Sequence, residues 1–343
     1  MKAAIFISSG LGNAVLLIPL IKKLKNEGRS ITGFFTSDYG CYELFENSGL
    51  LSESIKIGQR NVEWVKIGIQ HNSEFEEIYL DNFASTKRIF LTAKIIGKKI
   101  IAQKLPSGLT SLLSHYTHIV DPVIGQHCAT QNLRLYDKSF NDSELTEDLI
   151  SLPTVSQNLN NGTLLAIQIG SANDVTSYKN WPISNWISLI KKIVKLKNKS
   201  KIILLGDENE KTLSDKIIED CGNKVINKVG KTSIEDVKAI LLNCRYFIGV
   251  DSGLMHMAAS LSIPTFTLWG PSNETLYGYE KLFPKKHKVI FTDQSCRPCN
   301  SWINPNTSRV QNPETCPDKR CMKELSPEFV FENLIAFIQQ LET

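Results

Sequence analysis

The chain has 343 residues, 42% hydrophobic and 22% charged, the balance of an ordinary soluble globular protein with length enough for two domains. The net charge of +4 is small and scattered, which argues against a nucleic-acid partner while suiting phosphate-bearing substrates or a peripheral membrane contact. The apolar run at 14–21 is far too short to span a bilayer, and Ser8-Ser9-Gly10 breaks the first apolar run too early for a signal peptide, so a cytoplasmic location is expected.

Residues 3–8 read as a buried strand. The loop Ser9-Gly10-Leu11-Gly12-Asn13 follows, then a helix to about residue 27 in which Pro19 marks a kink or a later start. Two glycines there let a loop wrap a ligand, and equally make a plain tight turn. Short elements then alternate, with strands at 30–35, 77–80 and 99–103 and helices at 39–47 and 86–96. Asp81 closes the strand 77–80. An acid at a strand's carboxyl end faces the crevice where α/β folds bind ligands, so Asp81 is a candidate base, with turn capping as the alternative. In the helix start GQHCATQNLRLYD (125–137), His127 is a second candidate base or else a capping histidine. Residues 153–162 are rich in Pro, Ser and Asn without hydrophobic periodicity, the mark of a linker. Residues 1–152 are therefore one domain.

A buried strand at 164–169 opens the second domain. It runs into the polar stretch GSANDVTSYKNWP and a helix over 184–196, whose Trp186, Leu189, Ile190, Ile193 and Val194 recur at core spacing. Lys179 lies on that polar loop, where a lysine is ordinarily just solvated. The strand 201–205 ends at Gly206-Asp207-Glu208. A carboxylate so placed can accept two ribose hydroxyls or complement the dipole of a following helix, and Glu208 fits either role. A short strand at 225–228 leads to a helix capped by Thr232 or Ser233.

The stretch YFIGVDSGLMHMAASLSIPTFTLWG (246–270) organises the domain as strand, tight turn at Asp251-Ser252-Gly253, helix from Leu254, and strand. Gly253 lets backbone approach a ligand closely, and the helix start offers free N–H groups to an anion such as a diphosphate. Ser252 can cap the helix or bond a phosphate oxygen, and His256 lies one turn in, in a functional or a structural role. An edge strand is expected at 288–292. Cys296-x-x-Cys299 is followed by Cys316 and Cys321, so half of the eight cysteines fall between 296 and 321. That pattern suits a zinc or iron site, reduced structural thiols or disulfides, the last not the default without a signal peptide. Ser326-Pro327-Glu328 starts the last helix.

The string GVDSGLMHMAASLSIPTFTLWGPS resembles the donor-binding signature of glycosyltransferase family 9, the heptosyltransferase family. The resemblance implies an α/β fold of the GT-B type: two Rossmann-like domains with parallel sheets facing across a cleft. An acceptor domain would span 1–152 and a donor domain 163–325, including the cysteine cluster, with the helix 326–343 crossing back to the first domain. It places nucleotide-sugar contacts at Asp251, Ser252, Gly253, Leu254 and His256, and a ribose contact at Glu208. Lys179, in Lys-x-Trp-Pro, resembles the family's phosphate-contacting lysine, which serves in place of a divalent metal. Ser171 and Thr176 would add phosphate hydrogen bonds.

The glycine loop also resembles the family's. There an Asp is the proposed base, but this chain has Asn13, which can bond a hydroxyl and cannot take its proton at neutral pH. The base is then open between Asp81 and His127, the latter in a segment resembling the family's acceptor side. The implied reaction is inverting transfer of heptose from an ADP-heptose to a lipopolysaccharide core or related surface glycan, with no cofactor for the chemistry. Some relatives that glycosylate proteins carry a four-cysteine iron site in this region, so the cluster reads as a structural zinc or iron site. The alternatives are another nucleotide-sugar donor, a protein acceptor, or, given Asn13, a silent sugar-nucleotide-binding protein.

Overall fold

The computed structural model describes residues 1–37, 39–84, 86–105, 117–153, 164–171, 178–196, 201–299 and 316–342. Thr176 and all but the first residue of the expected linker lie outside the described residues. The chain divides into two units, Met1–Thr154 and Val155–Thr343.

In the first unit, β1 (Lys2–Ile7), β2 (Ser30–Phe35), β3 (Glu53–Lys56), β4 (Phe75–Leu80), β5 (Gly97–Ala102) and β6 (Thr117–Ile119) form one sheet in the order β3-β2-β1-β4-β5-β6. All pairings are parallel, with Ile7 opposite Phe35 and Ile5 opposite Tyr79. The central strand β1 is buried from Ala3 to Ile7, because helices cover both faces of such a sheet. Phe6 stacks on Phe34, their centroids 5.0 Å apart, within a core that also takes Trp64, Ile67, Phe90 and Ile96. Pro19 acts as a helix start: one helix ends at Leu16, and the next, Ile18–Asn26, carries the proline in its first turn, where the missing N–H costs nothing.

The second unit repeats this plan. Its strands are β7 (Leu164–Gln168), β8 (Lys201–Leu205), β9 (Val225–Asn227), β10 (Cys244–Val250), β11 (Thr265–Leu268) and β12 (His287–Ile290), in the order β12-β11-β10-β7-β8-β9. All are parallel, and β12 is an edge strand as expected. Counted within its unit, each sheet has the Rossmann order 3-2-1-4-5-6. The order reverses between β1 and β4 in one sheet and between β7 and β10 in the other, and crevices at the carboxyl ends of those strands are where such sheets bind ligands.

The terminal helix Pro327–Glu342 buries Val330, Leu334 and Phe337 in the second unit's core, with Phe337 against Phe266. Several elements are not assigned from the sequence: β3, β6, and the helices Asn61–Gln70 and Lys211–Cys221, the last with only its capping box as a signal.

Candidate active site

β7 and β10 end side by side, at Gln168 and Val250. The turn after β10 starts the helix Gly253–Ser260, and Ser252 is its cap, its Oγ accepting from the Met255 amide at 3.3 Å. The same hydroxyl donates to Gln168 Oε1, which ties the turn to the end of β7. The Gly253 and Leu254 amides precede the helical ladder and point out of the helix start, where the dipole favours an anion. His256 is buried in the next turn and its Nδ1 meets the Tyr279 hydroxyl at 2.9 Å.

Lys179 reaches this turn. Its Nζ lies 2.7 Å from Asp251 Oδ2, with side-chain exposures of 17% and 7%. Burial is the largest single influence and raises the Asp251 carboxyl, but the charges of Lys179 and then His256, together with hydrogen bonds from Lys179 and Ser272, outweigh it and hold the group below its ordinary value. The neighbours of Lys179 fix its backbone. Asn180 Oδ1 accepts from the Ser171 amide at 3.0 Å, and the buried Trp181 donates its indole N–H to Leu325 O at 2.9 Å while packing edge-on to Trp186. These contacts bring Lys179 to the turn of Asp251, Ser252 and the Gly253 and Leu254 amides, and hold Ser171 to Asn180, the next residue after Lys179. Glu208 is held apart, 66% exposed and paired with Lys211 Nζ at 2.7 Å.

Sequence reasoning missed Gln168, Asn180 and Glu210. Each left a trace: a polar residue closing an apolar strand, the variable position of Lys-x-Trp-Pro, and an Asp207-x-x-Glu210 capping box. The Glu210 carboxyl is buried and accepts from the Asp207 amide at 3.0 Å. A Cβ at Gly206 would lie 2.2 Å from its Oε2 and one at Gly170 2.9 Å from its Oε1, so both glycines make room for it. Burial, with Asp207 adding to it, pushes Glu210 up to about 7 against the backbone and Gln168 hydrogen bonds that pull it down. A carboxyl raised in the folded state contributes its full stability below the ordinary carboxylate value, and that stability is lost as pH rises toward about 7. Glu210→Gln is therefore expected to flatten the fall in unfolding temperature between about pH 4 and pH 7, measured by calorimetry across that range.

In the first unit, Asn13 lies in the short helix Leu11–Leu16 that follows β1, so the loop expected over residues 9–13 ends at Gly10, the helix cap, and Asp81 follows the neighbouring strand β4. Asp81 is buried, and its Oδ1 accepts from the Phe83 and Ala84 amides at 3.0 and 2.8 Å. Burial raises it to about 6 even though those two bonds lower it. His127 caps the helix Cys128–Leu133, its Nδ1 accepting from the Ala129 amide at 3.2 Å. A neutral ring in that arrangement carries its proton on Nε2 and commits its lone pair to the cap. Gln103 and Asn132, bonded at 3.1 Å, link the end of β5 to this helix, and Asn132 also donates to Leu16 O at 2.9 Å.

Cys296, Cys299, Cys316 and Cys321 line a single cavity together with Tyr178, beside Lys179, and Pro271, just past the Trp269-Gly270 motif. Cys299 donates its amide to Pro271 O at 2.8 Å and its thiol to Cys296 O at 3.1 Å. Burial first, then the neighbouring thiols, push Cys321 up to about 11, with Arg297 opposing. Four thiols form a donor set suited to zinc or iron, but among the described residues no three donors stand at metal-holding geometry.

A model of Glycosyltransferase family 9 (heptosyltransferase) matches residues 108–308, more than half of the chain. The chain belongs to glycosyltransferase family 9. It is a glycosyltransferase, and the pocket at the ends of β7 and β10 falls inside the matched span. This family 9 transferase is similar to lipopolysaccharide heptosyltransferase 1 of Pseudomonas aeruginosa, 23% identical over 293 residues, covering 83% of this chain and 80% of the relative. Among solved structures it resembles a family 9 glycosyl transferase from Veillonella parvula (TM-score 0.77, 17% identity, 100% and 98% of the two chains). It also resembles the ADP-heptose lipopolysaccharide heptosyltransferase II of E. coli (TM-score 0.72, 18% identity, 100% of each chain). These likenesses establish the GT-B class of the two Rossmann-like units. No helix among the described residues of the transferase is long and apolar enough to cross a membrane.

Proposed function

We propose that this transferase moves a heptose, with inversion, from ADP-heptose to a lipopolysaccharide core or related surface glycan. The observation that carries the reading is the pairing of Lys179 with Asp251 beside the start of the helix Gly253–Ser260. A lysine ammonium and a helix start are two sources of positive potential at one point, which is what a diphosphate leaving group requires. Asp251 does not cancel this role: as a buried partner it keeps the ammonium in place. Ser171 and Thr176 add hydrogen bonds to the diphosphate, and Glu208 accepts the ribose hydroxyls. The choice of donor rests on the likeness to the ADP-heptose heptosyltransferase II of E. coli, and the choice of acceptor on that likeness and the one to the Pseudomonas aeruginosa enzyme.

In the reaction the acceptor hydroxyl attacks the anomeric carbon and the bond to the diphosphate oxygen breaks. The hydroxyl proton goes to Asp81, whose burial keeps it basic enough to accept it, and Asn13 orients the hydroxyl without taking the proton. His127, with Nδ1 held in the cap, is the weaker candidate. The anomeric configuration of the product, read by NMR, tests the reading: an inverted linkage formed with release of ADP supports it, and retention or hydrolysis alone overturns it. A protein acceptor is a second reading, favoured by one observation, the cavity lined by four cysteines.

The four thiols are also proposed to take one structural zinc or iron ion, fastening residues 296–299 beside Pro271 and Tyr178. Metal analysis of the purified chain is expected to return one ion per molecule, lost in Cys321→Ser together with thermal stability. Absence of metal from anaerobically purified protein would assign the cluster to reduced thiols.

A further inference from the structure

The helices Asn61–Gln70 and Lys87–Ile96 pack on each other, with the side chain of Ile95 lying 3.5 Å from where a Cβ on Gly68 would stand. Their inner faces are committed to the core through Trp64, Ile67, Ile89, Phe90, Ala93 and Ile96. Their outer faces are apolar as well. Val62, Val65 and Ile69 follow helical spacing at 65%, 59% and 75% exposure, and Leu91 and Ile95 do the same on the partner helix at 47% and 49%. Single exposed apolar residues need no explanation, but two adjoining stripes on packed helices form a patch of the kind that marks an interaction surface.

The charge around the patch narrows what covers it. Lys66, Lys87, Arg88 and Lys94 are exposed on these two helices, and their only acid, Glu63, is paired with Arg60 at 2.9 Å. Apolar side chains fringed by exposed basic residues, of which Arg88 also donates to Gln59 O at 2.9 Å, match a bilayer interface, with tails taking the first and anionic headgroups the second. A second copy fits worse, because a two-fold contact would set the same basic fringe against itself.

We propose that this face of the first unit docks on an anionic lipid surface. The inference does not depend on the donor or acceptor assigned above. Its test is flotation of the full chain with vesicles of phosphatidylglycerol and phosphatidylethanolamine, against phosphatidylcholine alone. The chain is expected to float with the anionic vesicles and to release at high salt. Ile69→Ser with Leu91→Ser is expected to weaken binding about tenfold or more. Lys66→Glu with Lys94→Glu is expected to weaken it by at least roughly 25-fold, at about fivefold per basic residue removed with repulsion from the new acids in addition. All four sites are exposed, so the unfolding temperature should hold. Equal binding to phosphatidylcholine, or binding that neither pair alters, overturns the proposal. So does a concentration-dependent dimer in sedimentation that the serine pair abolishes while vesicles go unbound.

Discussion

Lys179→Ala is expected to lower turnover by about 10²- to 10³-fold, the usual cost of removing one preorganised charge from a developing oxyanion. The same substitution strips the partner from a buried carboxylate, which costs about 3–5 kcal/mol when the remaining charge stays ionised. The pH dependence separates the two effects. In the wild type the Asp251 carboxyl is depressed, so its stabilising contribution is present above the ordinary carboxylate value and lost only as pH falls through its lower folded value. Without the charge and hydrogen bond of Lys179, only His256 and Ser272 oppose burial, the largest influence, so the group is expected to rise and stability to decline as pH climbs from about 4. The gap in unfolding temperature between wild type and variant should therefore widen from pH 4 to pH 8. Lys179→Ala/Asp251→Asn should close most of that gap at pH 8 without restoring turnover, because an Asn carries no charge to strand. A gap of constant size across that range would contradict the ion-pair account.

Asp81→Asn is expected to cost about 10²- to 10⁴-fold in turnover while leaving donor binding unchanged. The substitution is a sharp test because of what it preserves. Oδ1 accepts both turn amides, and an Asn oxygen can go on doing so. A residue that merely caps the turn would tolerate the change. The wild-type profile of kcat/KM should rise with pH through about 6 and then level, since a general base works only when deprotonated. Loss of that rise in Asp81→Asn would assign it to this carboxyl, and full turnover in the variant would move the base elsewhere.

Much of this architecture can be read from apolar runs. β2 and β8 lie where the sequence places them, because after one exposed first residue each runs on through five and four buried residues in a row. Elements with weaker burial left little trace. β3 has no fully buried residue, and the helix Asn61–Gln70 carries Val62, Val65 and Ile69 on its outer face, which destroys the one-sided pattern that marks a helix. The pocket divides in the same way. Ser252 and Gly253 announce themselves by type and position, and the Lys-x-Trp-Pro string by resemblance. Gln168 does not, because its bond reaches Ser252, 84 residues on, and Asn180 and Glu210 act through bonds to the nearby Ser171 and Asp207 amides that leave only a faint trace in the sequence. For Asp81 and His127 the sequence left base and cap open for both. The structure gives both a capping bond, and what separates them is the fate of the lone pair: committed on the imidazole, available on the carboxylate.

The central claim is a diphosphate-sugar site at the carboxyl ends of β7 and β10. Calorimetric titration of the wild type and Lys179→Ala with ADP-heptose, a UDP-sugar and a GDP-sugar tests it most directly. Selective binding of ADP-heptose by the wild type, weakened at least about tenfold in the variant, is the predicted result. Failure to bind any of the three, or binding that ignores the loss of Lys179, would contradict it.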